Sequence, residues 1–323
     1  MTDANAKIIS AIIGAVASLL VAFITVYQPL KTQFTTLRDT VDGKVPEPDA
    51  KGYAISSADE LYNNIMMNMA GSFYLCNDID IAADEGWNDT WTPLGWQNNG
   101  SHIAFTGTLD GQGHTIRGLK NTNNSMGLFE TLSGTIKNLH VDVNFSAGSG
   151  GAFAVSMTNG GRIESCEASG IIQTNNGIIG GFVGTADKGI IKDCLSTVSL
   201  NAPLGFKGGI IGTATGSSVT HCFFKGQLSS PKTSQSNPTF SYTTDTVMIS
   251  RPSNCAIEGC HYYCNENFNS EIKPQLRLKG TYKGRGNDTD WNWEIWKIDE
   301  NKELNDGFPY LRIFEPEYLT APE

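Results

Sequence analysis

The sequence predicts a mainly β chain: a right-handed parallel β-helix, a solenoid, preceded by one long N-terminal hydrophobic α-helix. Three observations predict it. Cys166, Cys194 and Cys222 recur at a constant spacing of 28, each closing an Ile/Val-x-x-Cys element, as Ile163-Glu-Ser-Cys166, Ile191-Lys-Asp-Cys194 and Val219-Thr-His-Cys222. Glycine reaches 35 of 323 residues while charged residues are only 17%, a composition of tight turns rather than of helical bundles. Residues 8–27 form an apolar run without a charge.

The N-terminal run comes first. About 20 apolar residues match the length that spans a ~30 Å hydrocarbon core. A secretory signal is the competing assignment. Against it, MTDANAK carries one Lys, the run exceeds the ~7–15 residues of an h-region, and Val26-Tyr27-Gln28-Pro29 is a poor cleavage site. Lys7 flanks one side and Lys31 and Arg38 the other, so loop charge sets no orientation. Gly14, Ser18 and Ala22 recur at every fourth position, a small-residue face that permits close helix approach. Leu30, Phe34, Leu37 and Val41 continue an apolar stripe. These patterns fit a helix assembled with copies of itself, or a lipid-facing anchor with an amphipathic stalk. Residues 1–42 make this unit, and residues 43–52, with two prolines and mixed charge, read as a linker.

Residues 53–99 are expected to hold the N-terminal cap and first strands, and residues 100–265 the coils. Gly180-Gly181-Phe182-Val183-Gly184 and Gly208-Gly209-Ile210-Ile211-Gly212 precede two of the cysteine elements at equal distance, and Ala152-Phe153-Ala154-Val155 precedes the third more weakly. A repeat this short, with two short apolar strands, cannot bury its own apolar face, so successive repeats stack and share a core. The alignment yields an inward column of Ile116, Ile136, Ile163, Ile191, Val219 and Ile257, whose spacings are 20, 27, 28, 28 and 38. A second column holds Leu119, Leu139, Cys166, Cys194, Cys222 and Cys260, with thiols serving as small hydrophobes. Outside sit Arg117, Lys137, Glu164, Lys192, Thr220 and Glu258. Seven cysteines leave at least one free, and Cys255, Cys260 and Cys264 are close enough for one disulfide or none. Residues 229–254 read as an inserted loop rich in Ser, Thr, Pro and Asn, and residues 266–323 as a capping segment.

Several stretches resemble bacterial GLUG-motif proteins within the pectate-lyase-like superfamily of right-handed β-helices. They are Ile55-Ser-Ser-Ala-Asp-Glu-Leu61, Phe73-Tyr-Leu-Cys-Asn-Asp78-Ile-Asp80-Ile, Trp91-Thr-Pro-Leu-Gly95, Phe105-Thr-Gly-Thr-Leu-Asp110-Gly-Gln-Gly113-His-Thr-Ile116, Gly127-Leu-Phe129, Trp293-Glu-Ile-Trp296 and Gly307-Phe-Pro-Tyr310-Leu-Arg. The resemblance spans about residues 53–313, and it implies a surface-exposed or envelope protein whose β-helix is a spacer or adhesive module. No shared catalytic residue travels with these motifs.

Catalysis on a β-helix needs convergent carboxylates. Asp78, Asp80 and Asp110 are the candidates, with strand-entry and turn roles as their competing assignments; Asp187, Asp193, Glu164 and Glu167 fall at different turn positions. His221 falls at a coil corner. No cysteine pair has CxxC spacing and no two histidines lie three to five apart, so neither a metal site nor a cofactor is expected. Trp291, Trp293 and Trp296 either stack on sugars or, as the favoured assignment, cap the open end. A net charge of -10 with scattered Lys and Arg excludes a nucleic-acid partner.

The expected function is a non-enzymatic protein at the cell envelope or surface, serving adhesion, coating or display. It assembles as a homo-oligomer through the Gly14, Ser18 and Ala22 face, as a membrane anchor or a filament subunit. Lipid or neighbouring helices, surface glycans and proteins are its expected partners. The alternative is a carbohydrate-active lyase or hydrolase.

Overall fold

A computed structural model describes residues 51–83, 91–97, 101–121, 124–229, 247–263, 291–299 and 304–315. The chain divides between Asp49 and Ala50 into two units, and all of the described residues belong to the second. The expected hydrophobic helix at 8–27 and its stripe lie outside the described residues. Among the described residues no helix is long and apolar enough to cross a membrane.

The second unit is a mainly parallel β-solenoid. It opens on strand Tyr53–Ile55 and helix α1, Ala58–Met67. Ser57 sits extended before the helix and its hydroxyl accepts from the Glu60 amide at 3.2 Å. Glu60 reaches back and accepts from the Ser56 amide at 2.7 Å, so two donors at the start of the helix are met. Ala58, Leu61 and Ile65, spaced on one face, enter the core shared with the coils.

Four parallel walls follow the chain round. One stacks eight strands, from Tyr53–Ile55 and Ser72–Leu75 through Thr108–Asp110, Thr135–Lys137, Arg162–Glu164, Ile190–Lys192 and Ser218–Thr220 to Ala256–Glu258. A nine-strand wall runs from Ile79–Asp80 through Thr115–Asn121, His140–Ser146 and Glu167–Gln173 to Leu195–Ser196, Phe223–Phe224 and His261–Tyr262. A five-strand and a four-strand wall complete the cross-section.

Register corrects the expected columns at one end. Ile136, Ile163, Ile191, Val219 and Ile257 do stack. Beneath Ile136, however, stands Leu109, and beneath that Phe73. Ile116 has already turned the corner into the nine-strand wall, where it pairs with Ile79 and Val141, and Leu119 pairs with Val143. The outer position beneath Lys137 therefore belongs to Asp110, 3.1 Å from its ammonium, and not to Arg117. From Leu109 the inward column runs at spacings of 27, 27, 28, 28 and 38.

The cysteine column owes its shape to one corner. Gln112, Asn138, Ser165, Asp193, His221 and Gly259 all take φ between 51° and 59°, the left-handed region, at the same turn of successive coils. That reversal drives the next side chain inward: Leu139, Cys166, Cys194 and Cys222 are fully buried and Cys260 nearly so. Each thiol points at the carbonyl two residues back, as Cys194 to Lys192 at 3.1 Å and Cys222 to Thr220 at 3.3 Å. Burial pushes the thiols of Cys194, Cys222 and Cys260 well above their ordinary range, which keeps them as neutral core groups. Cys255 and Cys260 are free; Cys264 lies outside the described residues.

Two further expectations are corrected. The insertion is shorter than 229–254, because Val247, Met248 and Ile249 are buried and Ile249–Ser253 pairs with Ile211–Thr215 as the next strand of the five-strand wall. Residues 230–246 lie outside the described residues. The described part of the C-terminal segment lies against the outer face of the nine-strand wall. Trp291, Trp296, Phe308, Tyr310 and Leu311 bury themselves with Leu195 and Phe223, whose side chains face outward there. The aromatic residues are thus a lateral buttress, carried by the antiparallel pair Trp296–Ile298 and Pro309–Leu311.

Candidate functional site

Stacked coils bring residues one period apart into contact, and on the nine-strand wall this concentrates chemistry. Thr115, His140 and Glu167 occupy one register position, and Asp142 and Ser169 occupy the next outward position on two of the same strands. Strict alternation explains the exposure: Val141, Val143 and Phe145 point inward from His140–Ser146, leaving His140 and Asp142 outside.

The groups form a continuous chain. Thr115 Oγ1 lies 3.3 Å from His140 Nδ1, and His140 Nε2 lies 2.8 Å from Ser169 Oγ. Ser169 in turn donates to Asp142 Oδ1 at 3.0 Å. With Thr115 accepting from Nδ1–H, the Nε2 lone pair faces the Ser169 hydroxyl, which then has an imidazole and a carboxylate as competing acceptors. Glu167 stands between His140 and Leu195 in register; burial raises its carboxyl above the usual range, opposed by His140 and Lys225. Phe314 of the buttress meets the His140 ring edge-on at 6.0 Å. The buttress therefore ends beside this row, and the row itself is half-buried.

The sequence-derived candidates mostly hold structure. Asp80 binds Arg117 at 2.9 Å, and that guanidinium holds its carboxyl below the ordinary value. Asp78 accepts from the Thr115 amide at 3.0 Å and lies 3.4 Å from His114 Nδ1. Asp110 accepts from the Gln112 amide at 3.0 Å and from Asn138 at 3.1 Å, which pins the left-handed corner. Glu164 pairs with Arg162 at 3.0 Å, and Asp187 is exposed. Asp193 is buried, and its Oδ1 accepts from Trp296 Nε1 at 3.3 Å and lies 3.5 Å from His221 Nδ1. Trp291 covers the same corner, donating to the Gly259 carbonyl at 2.7 Å. His221 stands at the coil corner, as expected of a surface or turn residue, but it is buried there on the inner side of the buttress joint.

The cluster of His140, Ser169, Asp142 and Thr115 is not legible from sequence alone. The usable signal is the period: His140 to Glu167 and Asp142 to Ser169 are each one coil, a spacing of 27.

The class this geometry defines is a parallel β-solenoid with a buttressed wall. No protein-family model matches the chain, so the GLUG resemblance rests on the residues quoted for it. Halomucin of Haloquadratum walsbyi is 31% identical over 125 residues, 36% of this chain and 1% of halomucin, so the chain spans a small fraction of that relative. A "putative immunoglobulin A1 protease" of Bacteroides ovatus superposes with a TM-score of 0.43 and 18% identity, over 83% of this chain and 94% of that one. An IgA1 protease superposes with a TM-score of 0.38 and 15% identity, over 71% of this chain and 21% of the other. The names of both structures stand against the expectation that the chain is not an enzyme. At such TM-scores and identities the likeness assigns no activity to this chain.

Proposed function

We propose that the chain is a cell-surface β-solenoid that presents the open part of its nine-strand wall to a partner. The observation that carries this reading is the division of that wall. Leu195 and Phe223 are sealed by the buttress, whereas the His140, Ser169 and Asp142 row beside it stays half-exposed and polar. A rigid wall that holds a hydrogen-bonded row at fixed spacing is pre-organised for contact, and little ordering is lost on binding. The halomucin likeness supports the surface placement. On this reading residues 1–42 supply the attachment and the small-residue face of Gly14, Ser18 and Ala22 the self-association, as an anchor or a filament core. Labelling intact cells with an impermeant amine reagent tests the placement. Modification of the solenoid lysines on whole cells is expected, and labelling only after lysis would contradict it. Detergent-extracted single-span species distinguish an anchor from sedimentable fibres.

A second reading, hydrolysis at Ser169, is favoured by the 2.8 Å contact between its hydroxyl and His140 Nε2. A fluorophosphonate reagent that labels the wild type, but neither Ser169→Ala nor His140→Gln, supports it. Absence of labelling at Ser169 removes it.

A further inference from the structure

The joint between buttress and wall brings an amine against a carboxamide. Lys225 directly follows the strand Phe223–Phe224 of the nine-strand wall, and its amide donates to the Ser196 carbonyl of the preceding coil at 2.7 Å. Phe223 faces the buttress and Phe224 the core, so alternation sends the Lys225 side chain outward. From the buttress, Asn305 and Asp306 meet it in the left-handed region, at φ of 46° and 55°. The ammonium donates to Asn305 Oδ1 at 2.9 Å, to the Asn305 carbonyl at 3.3 Å and to Asp306 Oδ2 at 2.7 Å. The Lys225 side chain is only 18% exposed, and its Nζ lies 5.2 Å from the centre of the Phe308 ring. The Asn305 carboxamide is half-buried and fixed at its other end too, since Nδ2 donates to the Pro309 carbonyl at 2.7 Å.

A surface lysine ordinarily pairs with a carboxylate in water. This one also touches a neutral carboxamide, whose carbon is an electrophile, and it does so under an aromatic cover. Burial raises the Glu167 carboxyl on the same wall, opposed by His140 and Lys225, so the ammonium stands within reach of a second acid withdrawn from water. Holding an amine and an acyl carbon together replaces a chance encounter, and well-oriented groups reach effective concentrations of about 10⁵–10⁸ M. We propose that Lys225 and Asn305 join in an intramolecular isopeptide bond, which fastens the buttress covalently to the nine-strand wall. Asp306 Oδ2 takes a proton from the ammonium, and the freed amine attacks Asn305 Cγ to form the Nζ–Cγ bond. The extra proton on Nζ passes to Nδ2, the Cγ–Nδ2 bond breaks, and the leaving ammonia takes up the proton held by Asp306. One ammonium side chain and one carboxamide thus become one secondary amide and one ammonium ion, with no oxidant or reductant. Asp306, with a side chain 70% exposed, is a carboxylate that nucleophiles do not attack, so it serves as the base and not as the acyl group. Lys225 and Asn305 lie 80 residues apart, which is why no short motif announces the pair.

The test is the intact mass of the full chain, followed by peptide mapping. The wild type is expected to weigh about 17 Da less than its sequence, the mass of one ammonia, and its digest to contain one branched peptide joining Lys225 to Asn305. Lys225→Arg keeps the positive charge and Asn305→Gly keeps the left-handed turn, and each is expected to restore the full sequence mass with an unchanged circular dichroism spectrum. Asp306→Gly also keeps its turn, and is expected to slow bond formation at least about tenfold, read from the mass of samples taken with time after cell-free synthesis. Full sequence mass in the wild type after prolonged incubation would overturn the bond, as would an equal deficit in Lys225→Arg or Asn305→Gly. A deficit without the branched peptide, as a succinimide at Asn305 alone would give, would also overturn it. A loss of about 18 Da, one water, with Lys225 joined to Asp306 would overturn the choice of Asn305. Unslowed formation in Asp306→Gly would overturn the role of that carboxylate.

Discussion

Replacing Ile191 with Ala opens a hole in the middle of the inward column. Ile191 is fully buried and lies in register with Ile163 on one side and Val219 on the other. The change removes three carbons, about 2.4 kcal/mol at ~0.8 kcal/mol per buried carbon. The ladders above and below hold the backbone at fixed spacing, so the hole cannot close and a cavity contribution adds to the loss. The expected destabilisation is about 3–4 kcal/mol. Ile257, at the last described strand of that wall, is only partly buried, and its replacement by Ala is expected to cost less than about 1.5 kcal/mol. Because each coil touches only its neighbours, the damage is local. Urea unfolding followed by circular dichroism reads the total, and amide exchange is expected to accelerate first in Arg162–Glu164, Ile190–Lys192 and Ser218–Thr220. Equal losses at Ile191 and Ile257, or a loss below about 1 kcal/mol at Ile191, would refute the stacked column.

Other outcomes follow from the corner, the buttress and the buried acid. Gly259→Ala places a Cβ 2.5 Å from the His221 ring at a φ of 59°, and is expected to lower stability by about 1–3 kcal/mol in thermal unfolding, whereas Ser165→Gly at the equivalent corner is expected to be nearly neutral. Trp296→Phe removes the indole donor from buried Asp193 and is expected to cost about 1–3 kcal/mol, seen as earlier proteolysis within residues 291–315. The carboxyl of Glu130, raised by burial, favours the folded chain while it is protonated, so that contribution is full below the ordinary Glu range and is lost as pH rises through the folded value. Glu130→Gln is therefore expected to gain on the wild type between acid and neutral pH. A difference in unfolding free energy that stays constant over that range would show the acid to be unperturbed.

The parallel β-solenoid is legible in the sequence because burial repeats with the coil: Ile163, Ile191 and Val219 declare the column, and the cysteines declare the corner. The first coil misleads because Ile116-Arg-Gly-Leu119 imitates the motif while standing in another wall. Its spacing of 20 to Ile136 is the sign of trouble, and Leu109, at 27, fits the period that the structure uses. The buttress is recognisable as aromatic yet easily placed on the end, since sequence shows which residues seek cover and not which surface provides it. The outward Leu195 and Phe223, breaking the polar row of Thr115, His140 and Glu167, are the clue that this wall is covered. The candidate row itself stays hidden because its members are a coil apart, and no short motif records contacts between coils.

Native thiol labelling tests the dry interior most directly. With an alkylating reagent and peptide mapping on the folded chain, Cys76, which is exposed, is expected to react, while Cys166, Cys194 and Cys222 stay protected until denaturant is added. Ready modification of those three thiols at the rate of Cys76 would contradict the stacked core and everything built on its walls.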